Sequence, residues 1–254
     1  MKYYVAADVH GFYTQFHHAL EAAGYFTDPE EHRLIILGDV FDRGREALEM
    51  QSFILGLMDR AAVILIRGNH EDLFEDMIQI DKCRPLRHHV ANGTYGTALR
   101  LTGVERLTAE QYPWILVDAA VQTPYYQRII PAAVDYYETK TCVFVHGWIP
   151  CALERGGFVF DPRWREAEPR AWRDARWING MDAARTCAEP KTVFCGHWHC
   201  SYGHARYEHI GSEFGPDADF SPYFAPGVVA MDACTAHSGR VNILVIEDEP
   251  LPEE

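Results

Sequence analysis

The stretch that decides the fold is Arg33-Leu34-Ile35-Ile36-Leu37-Gly38-Asp39-Val40-Phe41-Asp42-Arg43-Gly44. Its apolar, β-branched half reads as a buried strand. Its second half delivers two carboxylates and an arginine between glycines, just past the strand's C-terminal end. Four other places repeat the arrangement. Val5-Ala6-Ala7 leads into Asp8-Val9-His10-Gly11, and Val63-Ile64-Leu65-Ile66 into Gly68-Asn69-His70-Glu71. Val143-Phe144-Val145 leads into His146-Gly147, and Val193-Phe194 into Gly196-His197-Trp198-His199. Together these pieces offer aspartate, asparagine and histidine, the oxygen and nitrogen donors that suit divalent metals. Five strands ending in such donors would line them along one sheet edge, where open α/β sheets bind ligands.

The spacing supports parallel strands. Asp8, Asp39 and Asn69 follow one another at intervals of about thirty residues, the length of a βαβ unit. Helices are expected between them, over Thr14–Ala23, Arg45–Arg60 and from Glu71 to about Asp81. The i, i+2 pairs Asp8/His10 and His197/His199 put both side chains on one side of an extended chain. Glu71, in the first turn of its helix, is read as favouring the helix dipole.

Composition narrows the classes. With 254 residues, 48% of them hydrophobic, the chain can bury a sizeable core as one domain or a domain with an insertion. A net charge of −14 repels nucleic-acid backbones, so general nucleic-acid binding is not expected. No apolar run reaches membrane-spanning length and the start, Met1-Lys2-Tyr3-Tyr4-Val5, enters a strand directly, so a cytoplasmic location without membrane contact is expected. Seven irregularly spaced cysteines read as free thiols, with Cys142, Cys195 and Cys234 as small buried residues.

The middle is less regular. Arg84 to His89 is basic, and His88 and His89 are read as exposed or substrate-facing. Asn92 to Thr97 is read as a glycine-rich loop, and Leu107–Asp118 and Val121–Val134 as helices. A cap-like insertion is expected over about 151–190. It carries Trp164, Trp172 and Trp177 among Arg163, Arg165, Arg170, Arg173 and Arg176. Tryptophan and arginine favour recognition surfaces, but the same residues can pack an insertion through ion pairs and cation–π contacts. A loop or lid is expected over about 201–226, closing strands over Gly227–Asp232 and Val241–Ile246, and a solvated acidic tail over Glu247–Glu254.

Seven candidate ligands, Asp8, His10, Asp39, Asn69, His146, His197 and His199, exceed what one tetrahedral ion needs and suit two metals sharing a carboxylate. Paired metals activate water for phosphoryl transfer. His70, next to a ligand, is placed to protonate a leaving oxygen, and Asp42 to hold its tautomer. Arg43 has the planar fork that grips phosphate.

The ordered motifs Asp-x-His-Gly, Gly-Asp-x-x-Asp-Arg-Gly, Gly-Asn-His-Glu, His-Gly and Gly-His-x-His resemble those of the calcineurin-like metallophosphoesterases, in particular the phosphoprotein phosphatases and the symmetrical bis(nucleosyl)-tetraphosphatases. The resemblance implies an α/β fold, a two-sheet β-sandwich flanked by helices with a dimetal site at the strand ends. It assigns Asp8, His10, Asp39 and His199 to one metal and Asp39, Asn69, His146 and His197 to the other. The metals would be manganese, iron or zinc. It gives His70 the acid role, Asp42 the orienting role, and Arg43, Asn69 and His70 contact with the substrate, a phosphoprotein or a small phosphate ester or nucleotide. Asp232-Ala233-Cys234-Thr235 resembles a segment near the end of such domains. Trp148 departs from the pattern, since His-Gly-Gly is frequent where this chain has His146-Gly147-Trp148. The second phosphate-gripping arginine has only Arg170, Arg173 and Arg176 as positional candidates.

Overall fold

The computed structural model describes residues 1–79, 87–187 and 189–252. The first half of the basic stretch at 84–89, the end of the helix expected to reach Asp81, Cys83 and the last two tail residues lie outside them.

The first half is a run of parallel βαβ units. It comprises β1 (Lys2–Ala6), α1 (Tyr13–Ala22), β2 (His32–Ile36), α2 (Ala47–Met58), β3 (Val63–Leu65) and α3 (Asn69–Gln79). β1 pairs with β2 and β2 with β3, all parallel. The helical layer follows as α4 (Arg87–Ala91), α5 (Thr94–Thr102), α6 (Arg106–Gln111), α7 (Pro113–Ala120), a π-turn over Tyr125–Ile129 and α8 (Ile130–Ala132). The two long helices expected over 107–134 are therefore broken. Pro113 starts a new helix, and Pro124 and Pro131 restart the chain again, since proline accepts the first turn of a helix but not its interior. The glycine-rich loop expected at 92–97 is instead the start of α5. Gly93, at φ +91°, lets the backbone turn there and packs directly on the Arg43 backbone, where a Cβ would collide.

The second half supplies β4 (Tyr137–Glu138), β5 (Cys142–Phe144), the hairpin β6 (Cys151–Glu154) and β7 (Gly157–Phe160), α9 (Pro169–Ala175), α10 (Gly180–Ala183) and β8 (Thr192–Cys195). It closes with α11 (Cys200–Gly203), β9 (Tyr223–Ala225), β10 (Val228–Ala230), α12 (Thr235–Ser238) and β11 (Leu244–Glu247). The segment expected as a loop over 201–226 is thus partly ordered as α11, a π-turn at His204–Glu208 and β9. Nor is the tail wholly solvated: Asp248 accepts hydrogen bonds from the Thr139 and Thr141 hydroxyls.

Two main sheets form among the described residues, of order β11-β1-β2-β3 and β4-β5-β8-β10-β9, with β6-β7 as a separate two-stranded sheet. The five motif-bearing strands therefore do not share one sheet edge, since β1, β2 and β3 lie in one sheet and β5 and β8 in the other. Strand alternation explains how the sheets pack. Tyr3, Val5, Ala7, Ile35 and Leu37 face Phe144, Phe194, Val229 and Met231 between the sheets. Their neighbours Tyr4, Ala6, Leu34 and Ile36 face the first helical layer. On the far side Val143, Val145, Val193, Cys195, Val228 and Ala230 pack against Trp148, Trp164, Trp172 and Met181. No described helix is long and apolar enough to cross a membrane.

Candidate metal centre

The turns after β1, β2, β3, β5 and β8 converge. Gly38, at φ +81°, sits so tightly against them that a Cβ would meet His146 Nδ1 at 2.6 Å and the Gly68 backbone at 2.7 Å. Only glycine lets three strand ends approach this closely. The residues beside it bear strain. Asp8, His10, Asp39, Asp42, Arg43 and His197 all have φ between +48° and +75°, a region that non-glycine residues rarely occupy and that clusters at functional sites.

Asp39 lies at the middle. Its Oδ2 is 3.7 Å from Nε2 of His10 and 3.7 Å from Nε2 of His70, and its Oδ1 is 3.4 Å from Nε2 of His146. Two groups of donors that could hold a metal ion result. One is His10, Asp39 and His70, the other Asp39, His146 and His197, with the donor atoms of each within 4.8 Å of one another. The ring orientations are set from behind. His10 Nδ1 donates to the Phe41 carbonyl at 2.9 Å and His146 Nδ1 to the Leu37 carbonyl at 2.7 Å. With the proton on Nδ1, a neutral ring turns the Nε2 lone pair toward Asp39. At His146 that lone pair also faces the Asn69 Oδ1 at 2.8 Å. Lone-pair atoms converging in a buried place repel unless a cation lies among them, so the donor set fits a metal.

The electrostatics agree. Burial raises the Asp39 carboxyl, but the imidazoles of His146, His70, His10 and His197 outweigh it and hold the group below the usual carboxylate range. Burial, then the neighbouring His146, pushes His197 down to about 3. Burial and then His70 lower His10 as well. Asp8 is raised, first by burial and then by Asp232 and Asp39. Neutral imidazoles beside buried carboxyl groups are the forms in which these side chains ligate a cation.

The remaining expected residues fall as follows. Asp8 is buried beside Asp39 and accepts the His197 N–H at 2.9 Å through Oδ2, but it is not in either convergent group. His199 has its Nε2 on Glu213, 2.8 Å away, and is likewise outside them. His70, expected as a proton donor and substrate contact and not as a ligand, has its Nε2 in the first group while its Nδ1 sits 2.7 Å from Asp42 Oδ2. Burial lowers His70, but Asp39 and Asp42 prevail and raise it. Arg43 is exposed and makes no ion pair among the described residues, which leaves its fork available.

Sequence reading missed three supports. Glu71 is a clasp: its carboxylate accepts the N–H groups of Gly68 at 2.7 Å and of Asp39 and Val40 at 3.1 Å, binding the turns after β2 and β3 together. Thr94 donates to Asp42 Oδ2 at 2.7 Å, and the Thr97 hydroxyl accepts the Asp42 N–H at 3.1 Å. Glu71 lay inside a quoted motif and could have been found; the threonines carry no sequence signal. The tryptophans of 151–190 divide. Trp164 and Trp172 are core residues, with Arg165 over the Trp164 ring and paired with Glu138, so most of that cluster packs the fold. Arg173 is spent on Asp76 and Arg176 on Asp72 and Asp135, which removes both as free phosphate grips. Trp177 alone of the three is exposed. Of the two adjacent histidines, His88 is exposed but His89 is buried.

Fold and site together are an α/β sandwich with a buried cluster of metal-type donors where the strand ends of its two sheets meet. Residues 1–201 match the model of the family described as calcineurin-like phosphoesterase, and the chain belongs to that family. An asymmetrical bis(5'-nucleosyl)-tetraphosphatase of Geobacillus thermodenitrificans is 35% identical over 72 residues, 26% of this chain and 29% of that protein. A symmetrical bis(5'-nucleosyl)-tetraphosphatase of Methylococcus capsulatus is 39% identical over 71 residues, 28% of this chain and 24% of its own length. The matched stretch thus spans 24% to 29% of these relatives' length. Two solved structures share the fold. A cold-active protein-tyrosine phosphatase of a psychrophile Shewanella species has a TM-score of 0.56 at 17% identity, covering 97% of this chain and 75% of that one. A serine/threonine phosphatase from Saccharomyces cerevisiae has a TM-score of 0.53 at 13% identity, covering 100% and 82%.

Proposed function

We propose that the chain is a metal-dependent phosphoesterase that hydrolyses phosphomonoesters with water, phosphoserine and phosphothreonine in proteins among them. One observation carries the reading: Asp39 divides its two carboxylate oxygens between two sets of imidazoles in a buried, strained cluster. Asp8, His10, Asp39 and His199 would hold one ion, and Asp39, Asn69, His146 and His197 the other. Two manganese, iron or zinc ions bound there would neutralise phosphoryl charge and acidify water. The protein supplies the rest. Arg43, exposed and without an ion pair among the described residues, offers two parallel N–H donors to the phosphate, and Asn69, buried against His146, is the second polar contact proposed for it. His70, oriented through Nδ1 by Asp42, keeps Nε2 for the proton passed to the leaving oxygen.

The test is turnover of p-nitrophenyl phosphate and phosphopeptides by protein reloaded with each metal, alongside elemental analysis of the protein as purified. Absence of turnover with every divalent ion would overturn the proposal. A second reading is hydrolysis of dinucleoside polyphosphates or other phosphoanhydrides. The exposed Trp177 ring beside His197, and the names of the curated relatives, favour it. Analysis of the nucleotide products from diadenosine tetraphosphate separates the two.

A further inference from the structure

We infer that Trp177 and Phe214 are stacking platforms for the two bases of a dinucleoside polyphosphate whose phosphate chain crosses the candidate metal centre between them; this rests on the second reading above and assigns the residues that would hold the two bases. The basis is an arc of rings. Trp177, His197, Trp198, His199 and Phe214 follow one another with centroids 5.6, 6.0, 6.0 and 4.5 Å apart. The histidines in the arc are the candidate ligands after β8. The two ends are its open members, Trp177 at 51% exposure and Phe214 at 52%.

Large aromatic rings are normally used for packing, as Trp164 and Trp172 are here. Rings left half open beside candidate ligands give up that burial. Both sit on anchored backbone. Trp177 follows Arg176, which is buried and clamped by Asp72 and Asp135, and its own N–H is bonded to Asp174. Phe214 follows Glu213, whose carboxylate meets His199 and whose carbonyl accepts the Ser201 hydroxyl. Anchored backbone lowers the entropic cost of presenting a ring to a planar group. A neutral platform also suits a chain of net charge −14, which cannot gather a polyanion by long-range attraction. One open ring on each side of the histidine pair fits a substrate with a planar group at each end. Base–aromatic stacking tolerates any base, so diguanosine and diadenosine tetraphosphates should serve about equally.

The experiment compares diadenosine tetraphosphate with glycerol phosphate, which has no ring, in wild type, Trp177→Ala, Trp177→Phe and Phe214→Ala. The ratio of the two kcat/KM values should fall about tenfold in each alanine variant, chiefly through KM, and recover in Trp177→Phe. An unchanged ratio in both alanine variants overturns the inference. Should no phosphate compound be hydrolysed at all, the phosphoesterase reading fails, and a binding readout still decides this one. Diadenosine tetraphosphate should quench part of the tryptophan emission in wild type, and Trp177→Phe should remove that part. No quenching, or quenching untouched by Trp177→Phe, also overturns it.

Discussion

Nδ1 of His70 lies 2.7 Å from Oδ2 of Asp42, and the same oxygen accepts a hydrogen bond of equal length from the Thr94 hydroxyl. The imidazole is therefore held by a carboxylate that is itself anchored to α5. His70→Asn should lower kcat by about 10²–10⁴-fold, the usual size of a general-acid contribution. Asp42→Asn should give a smaller loss. Metal content separates two outcomes: if His70→Asn loses an ion with its activity, His70 is a ligand and not the proton donor.

Asp39 is the one side chain common to both donor groups. Asp39→Asn should abolish turnover and reduce the bound metal from two equivalents toward none, whereas His146→Ala should release about one. Elemental analysis of dialysed protein reads this directly. A full complement of metal in Asp39→Asn would remove the shared-carboxylate geometry from the mechanism.

Replacing Glu71 by alanine leaves the buried N–H groups of Gly68, Asp39 and Val40 without an acceptor. Each such orphan costs about 1–3 kcal/mol. The variant should unfold at markedly lower urea concentration and bind metal weakly, while keeping the far-ultraviolet dichroism of the fold. A variant as stable as wild type would show that the clasp is replaced by water.

Glu138 supplies a pH test away from the metals. Burial raises its carboxyl, but hydrogen bonds from Arg165 and Lys191 win and hold it below its ordinary value. A carboxyl lowered by folding adds stability above its unfolded pKa, and that stability is lost as pH falls through the folded value. The urea midpoint of wild type should therefore drop from about pH 4.5 downward. Glu138→Gln should be less stable at neutral pH and flatter over that acid range. Parallel acid profiles for the two proteins would rule out this contribution.

Much of the fold was legible because its strands are short, apolar and end in polar motifs. The apolar run Val193-Phe194 lies inside β8 as expected, and the βαβ rhythm from Asp8 to Asn69 holds. The split of the strands between two sheets was invisible to local pattern. β5 and β8 carry the same signal as β1 and β2, and only long-range pairing decides which sheet each joins. The helices over 107–134 failed at prolines whose breaks the apolar periodicity concealed. At the site, residue types were readable but aim was not. Nothing in Gly-His-Trp-His says that His197 turns to Asp39 while His199 turns to Glu213. Glu71 was read through its helix position, yet its side chain reaches back across two turns.

The left-handed backbone at Asp8, His10, Asp39, Asp42, Arg43 and His197 has a consequence for anyone engineering this scaffold. At such positions the native amino acid is a poor conformational match for the spot it occupies, and glycine would relax there at no steric cost. A screen that selects only for heat resistance will therefore drift toward glycine at these sites, yielding hardy proteins with nothing left to catalyse. Thermal tolerance and turnover should be ranked together from the first round.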